Sequence, residues 1–166
     1  IQTDTSDILY MCAFSKKGYT FSGWAISKSG EKIYNDCAQY KMGTASKYIL
    51  YAVWSANLNT LYFDGNTSDS GDMSSLKVYS DETIVLPKNT FEKTGYSFVG
   101  WAETVSGDII VTDTEKYVMP CEESVTLYAV WKAIPYTITL DACGKSLKST
   151  QAQISFDSDF QLELPE

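Results

Sequence analysis

The chain has 166 residues, a formal charge of −8, 44% apolar and 20% charged residues, which is the composition of a folded chain and not of a disordered one. That acidic balance excludes a general binder of nucleic acid or anionic membrane, because phosphates demand a surplus of cations. All 13 cations are Lys, with neither Arg nor His in the sequence, which removes the bidentate anion clamp, the commonest general base and the commonest metal ligand.

Aromatic residues are plentiful, with 12 Tyr, 7 Phe and 4 Trp, so rigid packing is well supplied where chemistry is not. No segment is apolar for long enough to cross a bilayer. The first residue is Ile, and no basic-then-apolar leader follows, so the chain reads as a processed product or a piece of something longer.

In chain order, the elements read as strands. Gly18-Tyr19-Thr20-Phe21-Ser22-Gly23-Trp24-Ala25 is aromatic and extended, with two Gly residues placed for a turn and a bulge. Ser29-Gly30 suits a hairpin turn. Residues 48–54 and 60–64 follow as strands, the latter alternating Leu61 and Phe63 against Tyr62. A long polar loop, 65–74, leads to short strands at 76–79 and 83–86, separated by Ser80-Asp81-Glu82. Gly95 to Ala102 is a second aromatic run, Ser106-Gly107 a second turn, and 113–119 has room for one turn of helix. Residues 125–131 alternate Val125, Leu127, Ala129 and Trp131 against Thr126, Tyr128 and Val130, a period-2 pattern. Residues 136–141 form a last extended run. No stretch carries an apolar helical stripe.

The dominant feature is self-similarity. Gly18-Tyr19-x-Phe21-x-Gly23-Trp24-Ala25 recurs as Gly95-Tyr96-x-Phe98-x-Gly100-Trp101-Ala102, and Leu50-Tyr51-Ala52-Val53-Trp54 as Leu127-Tyr128-Ala129-Val130-Trp131, both at an offset of 77. Of the 48 ungapped pairs from Leu9/Leu86 to Ala56/Ala133, 21 are identical. The offset persists into the tail, where Thr60 to Asp64 matches Thr137 to Asp141, and Leu86-Pro87 matches Leu164-Pro165 with one residue slipped. The expected organisation is a first repeat over 1–58 without its opening strand, a complete repeat over 59–134, and the opening strands of a third over 135–166. The four aromatic positions per copy (Tyr19, Phe21, Trp24, Trp54; Tyr96, Phe98, Trp101, Trp131) supply much of a small core.

The order Gly-Tyr-x-Phe-x-Gly-Trp, then a gap of 25 residues, then Leu-Tyr-Ala-Val-Trp resembles the Listeria–Bacteroides repeat, also called the internalin B-repeat. Tyr136-Thr-Ile-Thr-Leu-Asp141, Lys93-Thr-Gly-Tyr96 and Met119-Pro120 fit the same pattern, while the longer loop 65–74 and Gly43 in place of Pro120 depart from it. The resemblance covers nearly the whole chain. It implies a β-rich α+β fold of tandem, small β-grasp-like repeats with little helix. It further implies a non-catalytic, cofactor-free module of an extracellular, mainly bacterial cell-surface or cell-wall protein. Such a module acts as stalk, spacer or adhesin in virulence, attached through parts of the parent outside this chain. Expected partners are neighbouring repeats, and a host-surface protein or glycan; nucleic acid and membrane insertion are not expected.

The candidate site residues are few. Cys12, Cys37, Cys121 and Cys143 are not equivalent across the copies and show no CxxC spacing. Nearness in sequence favours disulfides Cys12–Cys37 and Cys121–Cys143, although four Cys allow three pairings and buried free thiols are the alternative. Asp64, Asn66, Asp69 and Asp72 crowd one loop with oxygen ligands, but the sixth-position Gly and twelfth-position Glu of a calcium loop are missing, and a solvated turn reads equally well. Asn66-Thr67-Ser68 is also a glycosylation sequon. Tyr51 and Tyr128 lie opposite the Leu/Ala/Trp face and are the candidates for an aromatic glycan ladder. Charge divides unevenly: 6 Lys against 4 acids over 1–58, 5 against 12 over 59–134, and 2 against 5 over 135–166. With a spare opening strand at 135–154, this admits a self-associating subunit that polymerises head-to-tail by strand complementation.

Overall fold

In the computed structural model, which describes residues 6–41, 47–139, 143 and 151–159, every regular element is a strand. They are β1 (Ser6–Ile8), β2 (Tyr19–Ala25), β3 (Gln39–Lys41), β4 (Tyr51–Ala56), β5 (Leu58–Asp64) and β6 (Leu76–Tyr79). Then come β7 (Thr83–Val85), β8 (Tyr96–Ala102), β9 (Lys116–Val118), β10 (Ser124–Ala133), β11 (Pro135–Thr139) and β12 (Gln151–Ser155). The sequence repeat is therefore a structural one: β1, β2 and β3 return as β7, β8 and β9 at an offset of 77 at both ends. β-branched and aromatic residues fill these segments, as a pleated, half-buried surface requires.

One expectation is overturned. Among the described residues there is no helix, and 113–119 holds a turn followed by β9. Thr114 stands at φ 59, a left-handed conformation that stops a right-handed helix before its first turn closes. Over the described residues the fold is β-rich without the α component.

Four of the strand pairs, β1–β3, β2–β4, β8–β10 and β11–β12, are antiparallel. β1 lies against β3 and β2 against β4, the longer sheet runs β6-β5-β10-β8, and β7 pairs β9 and β11 pairs β12. β2 and β4 are in register from Tyr19↔Ala56 to Ala25↔Tyr51. β8 and β10 repeat that register 77 residues on, from Tyr96↔Ala133 to Tyr128↔Ala102. Each pair carries one bulge: Phe21 faces Trp54 and Gly23 faces Val53, so Ser22 is extra, and Val99 is extra in β8. The bulge resets the side-chain alternation. Phe21 and Trp24, three residues apart, thereby meet edge to face at 5.0 Å, as Phe98 and Trp101 do at 4.9 Å.

By packing, the chain forms two compact units, which cut across the sequence copies. The first comprises 1–60, 77–84 and 118–125; the second comprises 61–76, 85–117 and 126–166. In the first unit Ala25, Val78 and Met119 are buried, together with the polar Asn59, Thr60 and Ser80. Its aromatic residues form a chain of edge contacts, Phe14–Trp24, Phe21–Trp24 and Phe21–Trp54. In the second unit Leu61, Leu86, Trp101, Ala102, Leu127 and Ala129 are fully buried. Trp101 is the hub, touched by the rings of Phe63, Phe91 and Phe98.

Candidate functional site

The most elaborated polar geometry is a joint between one repeat and the turn of the next, and it occurs twice. In the first unit the Asn57 amide donates to the Gly18 carbonyl at 2.9 Å, and the Ser80 amide donates to the Asn57 carbonyl at 3.0 Å. This seats the turn between β6 and β7 so that the Tyr19 hydroxyl donates to Asp81 Oδ2 at 2.7 Å. In the second unit the Ile134 amide donates to Gly95 at 2.9 Å and the Phe156 amide to Ile134 at 3.1 Å. There the Tyr96 hydroxyl donates to Asp157 Oδ2 at 3.1 Å. Both glycines have positive φ, 75 and 79, and both aspartates do too, 62 and 56. Asp tolerates the left-handed conformation because its short side chain bonds locally. Above each tyrosine ring sits a lysine, Lys16 over Tyr19 and Lys93 over Tyr96, a cation–π contact.

The glycines are required by the fit. A Cβ on Gly18 would come within 3 Å of Cys121 Cβ and Ser80 Oγ, and one on Gly95 would come within 2.4 Å of three ring atoms of Phe156. The two joints differ in filling. The first is polar, with Asn59 Nδ2 donating to Ser80 Oγ at 2.8 Å, Thr20 Oγ1 to Asn57 Oδ1 at 2.7 Å, and the Cys121 thiol to Asp81 Oδ1 at 3.4 Å. An exposed ion pair, Lys17–Glu122, lies at its rim and adds little in water. The second is apolar: Phe156 packs against Tyr96 at 5.6 Å and Tyr136 at 6.4 Å.

The hydrogen bonds leave their mark on titration. The Tyr19 hydroxyl holds the Asp81 carboxyl below its ordinary value, with Cys121 assisting. Asp81 in turn raises the Tyr19 phenol above 10, and burial with Asp81 raises the Cys121 thiol. A carboxyl depressed by folding stabilises the fold above its unfolded pKa of 3.8 and loses that contribution as pH falls through the lower folded value. A phenol raised by folding contributes below pH 10 and loses it as pH climbs through the higher folded value. Thermal unfolding followed at pH 2 to 7 should therefore show the wild type above Tyr19→Phe at neutral pH. The gap should narrow as the pH falls below 3.8 and through the lower folded value. A gap independent of pH would mean that the hydroxyl does not act through Asp81.

The other residues singled out from sequence fall as follows. Asp64 Oδ1 accepts the Asn66 amide at 2.7 Å, and the Asn66 side chain donates to the carbonyls of Val105 and Ala129 at 2.9 and 2.8 Å. Asp69 Oδ2 accepts the Thr94 amide at 2.6 Å, which lowers its pKa, and the Asp72 carbonyl accepts Thr90 Oγ1. Asp64 and Asp69 thus cap separate backbone amides, Asn66 reaches two distant carbonyls and Asp72 enters through its main-chain carbonyl, and among the described residues no three His, Cys, Asp or Glu side chains gather as metal ligands. Tyr51 and Tyr128 are half-buried at equivalent register positions opposite Ala25 and Ala102. Cys12, Cys37 and Cys121 are free thiols, Cys12 and Cys121 half-buried and Cys37 exposed, and Cys143 is exposed. An open recess of about 300 Å³ in the second unit is lined by Asn66, Thr67, Lys93, Tyr96, Ser106 and Trp131 among others. Several of its polar groups bond one another or the backbone: Lys93 Nζ to Thr67, Trp131 Nε1 to Gly65 O.

Sequence reasoning passed over Asp81 and Asp157. Their separation is 76, one short of the repeat offset, so an ungapped alignment does not pair them. The shared signal is an Asp one residue into the turn after the second opening strand.

The family model for the Listeria-Bacteroides repeat domain matches twice, over residues 2–53 and 60–130. A protein of Evansella cellulosilytica named "Putative Gly-rich membrane protein" is 34% identical over 142 residues, 80% of this chain and 16% of the relative. A second protein of that organism, named "Putative membrane protein", is 29% identical over 119 residues, 70% of this chain and 17% of the relative. The chain thus spans about a sixth of the curated relatives it matches. No solved structure shows significant similarity. Among the described residues no helix is long and apolar enough to cross a membrane.

Proposed function

Because this chain belongs to the Listeria-Bacteroides repeat domain family, we propose that it is a non-catalytic repeat module of a cell-envelope protein, a spacer that carries other domains outward from the cell surface. The observation that supports this reading is the joint built twice on the same plan, Gly18-Tyr19 with Asp81 and Gly95-Tyr96 with Asp157. A spacer works through fixed geometry, and a joint held by backbone bonds, a tyrosine hydroxyl and a lysine-capped ring resists pivoting in a way that a flexible linker does not. Neighbouring repeats are the partners. The names of the relatives support a place in the envelope, and the absence of His and Arg from the sequence supports a module without general acid–base chemistry.

The test is to remove residues 59–134 in frame from the parent protein and measure how far an outer epitope stands from the cell surface. The expected result is a shorter reach with the parent's ligand binding retained. Unchanged reach, or loss of a binding activity that the purified chain itself displays and Tyr128→Ala abolishes, would replace the spacer with an adhesive surface. Sedimentation velocity of the purified chain is expected to give a monomer across concentration and salt. Oligomers that grow with concentration would support polymerisation instead.

A further inference from the structure

The two copies differ at a matched pair of positions that both touch one carboxylate. Cys12 in the first copy stands where Asn89 does in the second, and Cys37 where Thr114 does. Asp36 and Asp113 are the identical residues beside them. Asp113 Oδ1 accepts the Asn89 amide at 2.9 Å, and Asp36 Oδ1 accepts the Cys12 amide at 3.0 Å. The same oxygen of Asp36 also accepts the Cys37 amide, at 3.2 Å. The backbone conformation is shared as well: Cys37 has φ 54 and Thr114 φ 59.

One oxygen gripping both amides, at 3.0 and 3.2 Å, holds the two cysteine residues as close neighbours, as a disulfide, with its Cα separation of roughly 4.4–6.8 Å, requires. In the second copy, the Asn89 side chain closes a small turn, accepting the Phe91 amide and donating to the Phe91 carbonyl. In the first copy the Cys12 thiol has only a 3.8 Å approach to the equivalent Phe14 carbonyl, so little is lost when that sulfur is redirected. Exposed Cys37 gives an oxidant access.

We propose that Cys12 and Cys37 form a disulfide that staples the first unit. The oxidant is a small-molecule or protein disulfide, the class present outside the cell and in oxidising compartments. The thiolate of one cysteine attacks a sulfur of that disulfide, releasing one thiol and leaving a mixed disulfide. The thiolate of the second cysteine then displaces the remaining half, releasing a second thiol and closing the Cys12–Cys37 bond. The protein loses two protons and two electrons, and the oxidant is reduced to two thiols. The 26 residues from Cys12 to Cys37 that it closes contain all of β2, with Trp24 and its bulge. The second copy is held at the same place by the asparagine turn and the Asp113 bond to its amide.

The full chain should be equilibrated with oxidised glutathione, blocked with N-ethylmaleimide and digested without reduction. The expected result is a cross-linked peptide containing Cys12 and Cys37, about 2 Da lighter than the sum of its two reduced peptides. Dithiothreitol should lower the melting temperature of the oxidised wild type by roughly 10 °C and leave the double variant Cys12→Ser/Cys37→Ser unmoved. Recovery of both residues as maleimide adducts, or of either one joined to Cys121 or Cys143, overturns the proposal. If the double variant does not fold, peptide mapping of the wild type decides alone.

Discussion

Trp101→Ala is expected to remove about 3–5 kcal/mol of stability, the usual cost of emptying a fully buried tryptophan site. Its side chain is 0% exposed and three phenylalanine rings lean on it. The surrounding strands are tied by ladder bonds and cannot collapse into the space. Against a total of about 5–15 kcal/mol for a domain, that loss brings the second unit close to unfolding at room temperature. Urea denaturation followed by far-ultraviolet circular dichroism measures it. The matched change Trp24→Ala should cost less, because Trp24 is only half-buried. Equal losses at the two sites would mean that the burial difference between the copies does not exist in solution.

The second large effect is expected at Gly95→Ala. The residue has φ 79, which costs an alanine about 1 kcal/mol or more, and the new methyl would occupy the space of the Phe156 ring. Phe156 must leave, and its amide bond to the Ile134 carbonyl goes with it. Loss of about 2–4 kcal/mol at the joint follows from strain and displaced packing together. The direct measurement is amide hydrogen exchange at Phe156, which should speed up by roughly the corresponding 30-fold or more, with protection of Leu127 in the core much less affected. Uniform loss of protection would show that the joint and the core unfold as one. Gly18→Ala should act in the same way on Ser80, whose amide bonds the Asn57 carbonyl.

Much of this architecture is legible in the sequence, because the repeat compares every strand with a second copy of itself. The two Gly-Tyr-x-Phe-x-Gly-Trp runs become β2 and β8 with a bulge apiece, and the glycines were read as turn and bulge residues. The helical turn at 113–119 was misread because Thr114 carries no sequence sign of its positive φ; that conformation belongs to glycine or asparagine by default. The loop at 64–72 looked like a ligand set because its side chains are oxygen-rich. In the fold Asp64 and Asp69 cap the amides of Asn66 and Thr94, and the Asn66 side-chain nitrogen fixes the loop on β10, a use that depends on distant backbone. The joint was illegible for the same reason. Tyr19 and Asp81 lie 62 residues apart, and no periodicity joins a hydroxyl to a carboxylate. Residues 140–142, 144–150 and 160–166, where the later parts of the third repeat were placed, lie outside the described residues.

The repeat over 59–134 carries both halves of the joint: Asp81, which meets the tyrosine before it, and Tyr96, which meets the aspartate after it. A gene built of such units can gain or lose whole copies by unequal crossing-over without leaving a mismatched seam. Recombination in register with the repeat would keep every tyrosine facing an aspartate, since the Tyr19–Asp81 and Tyr96–Asp157 pairs span 62 and 61 residues.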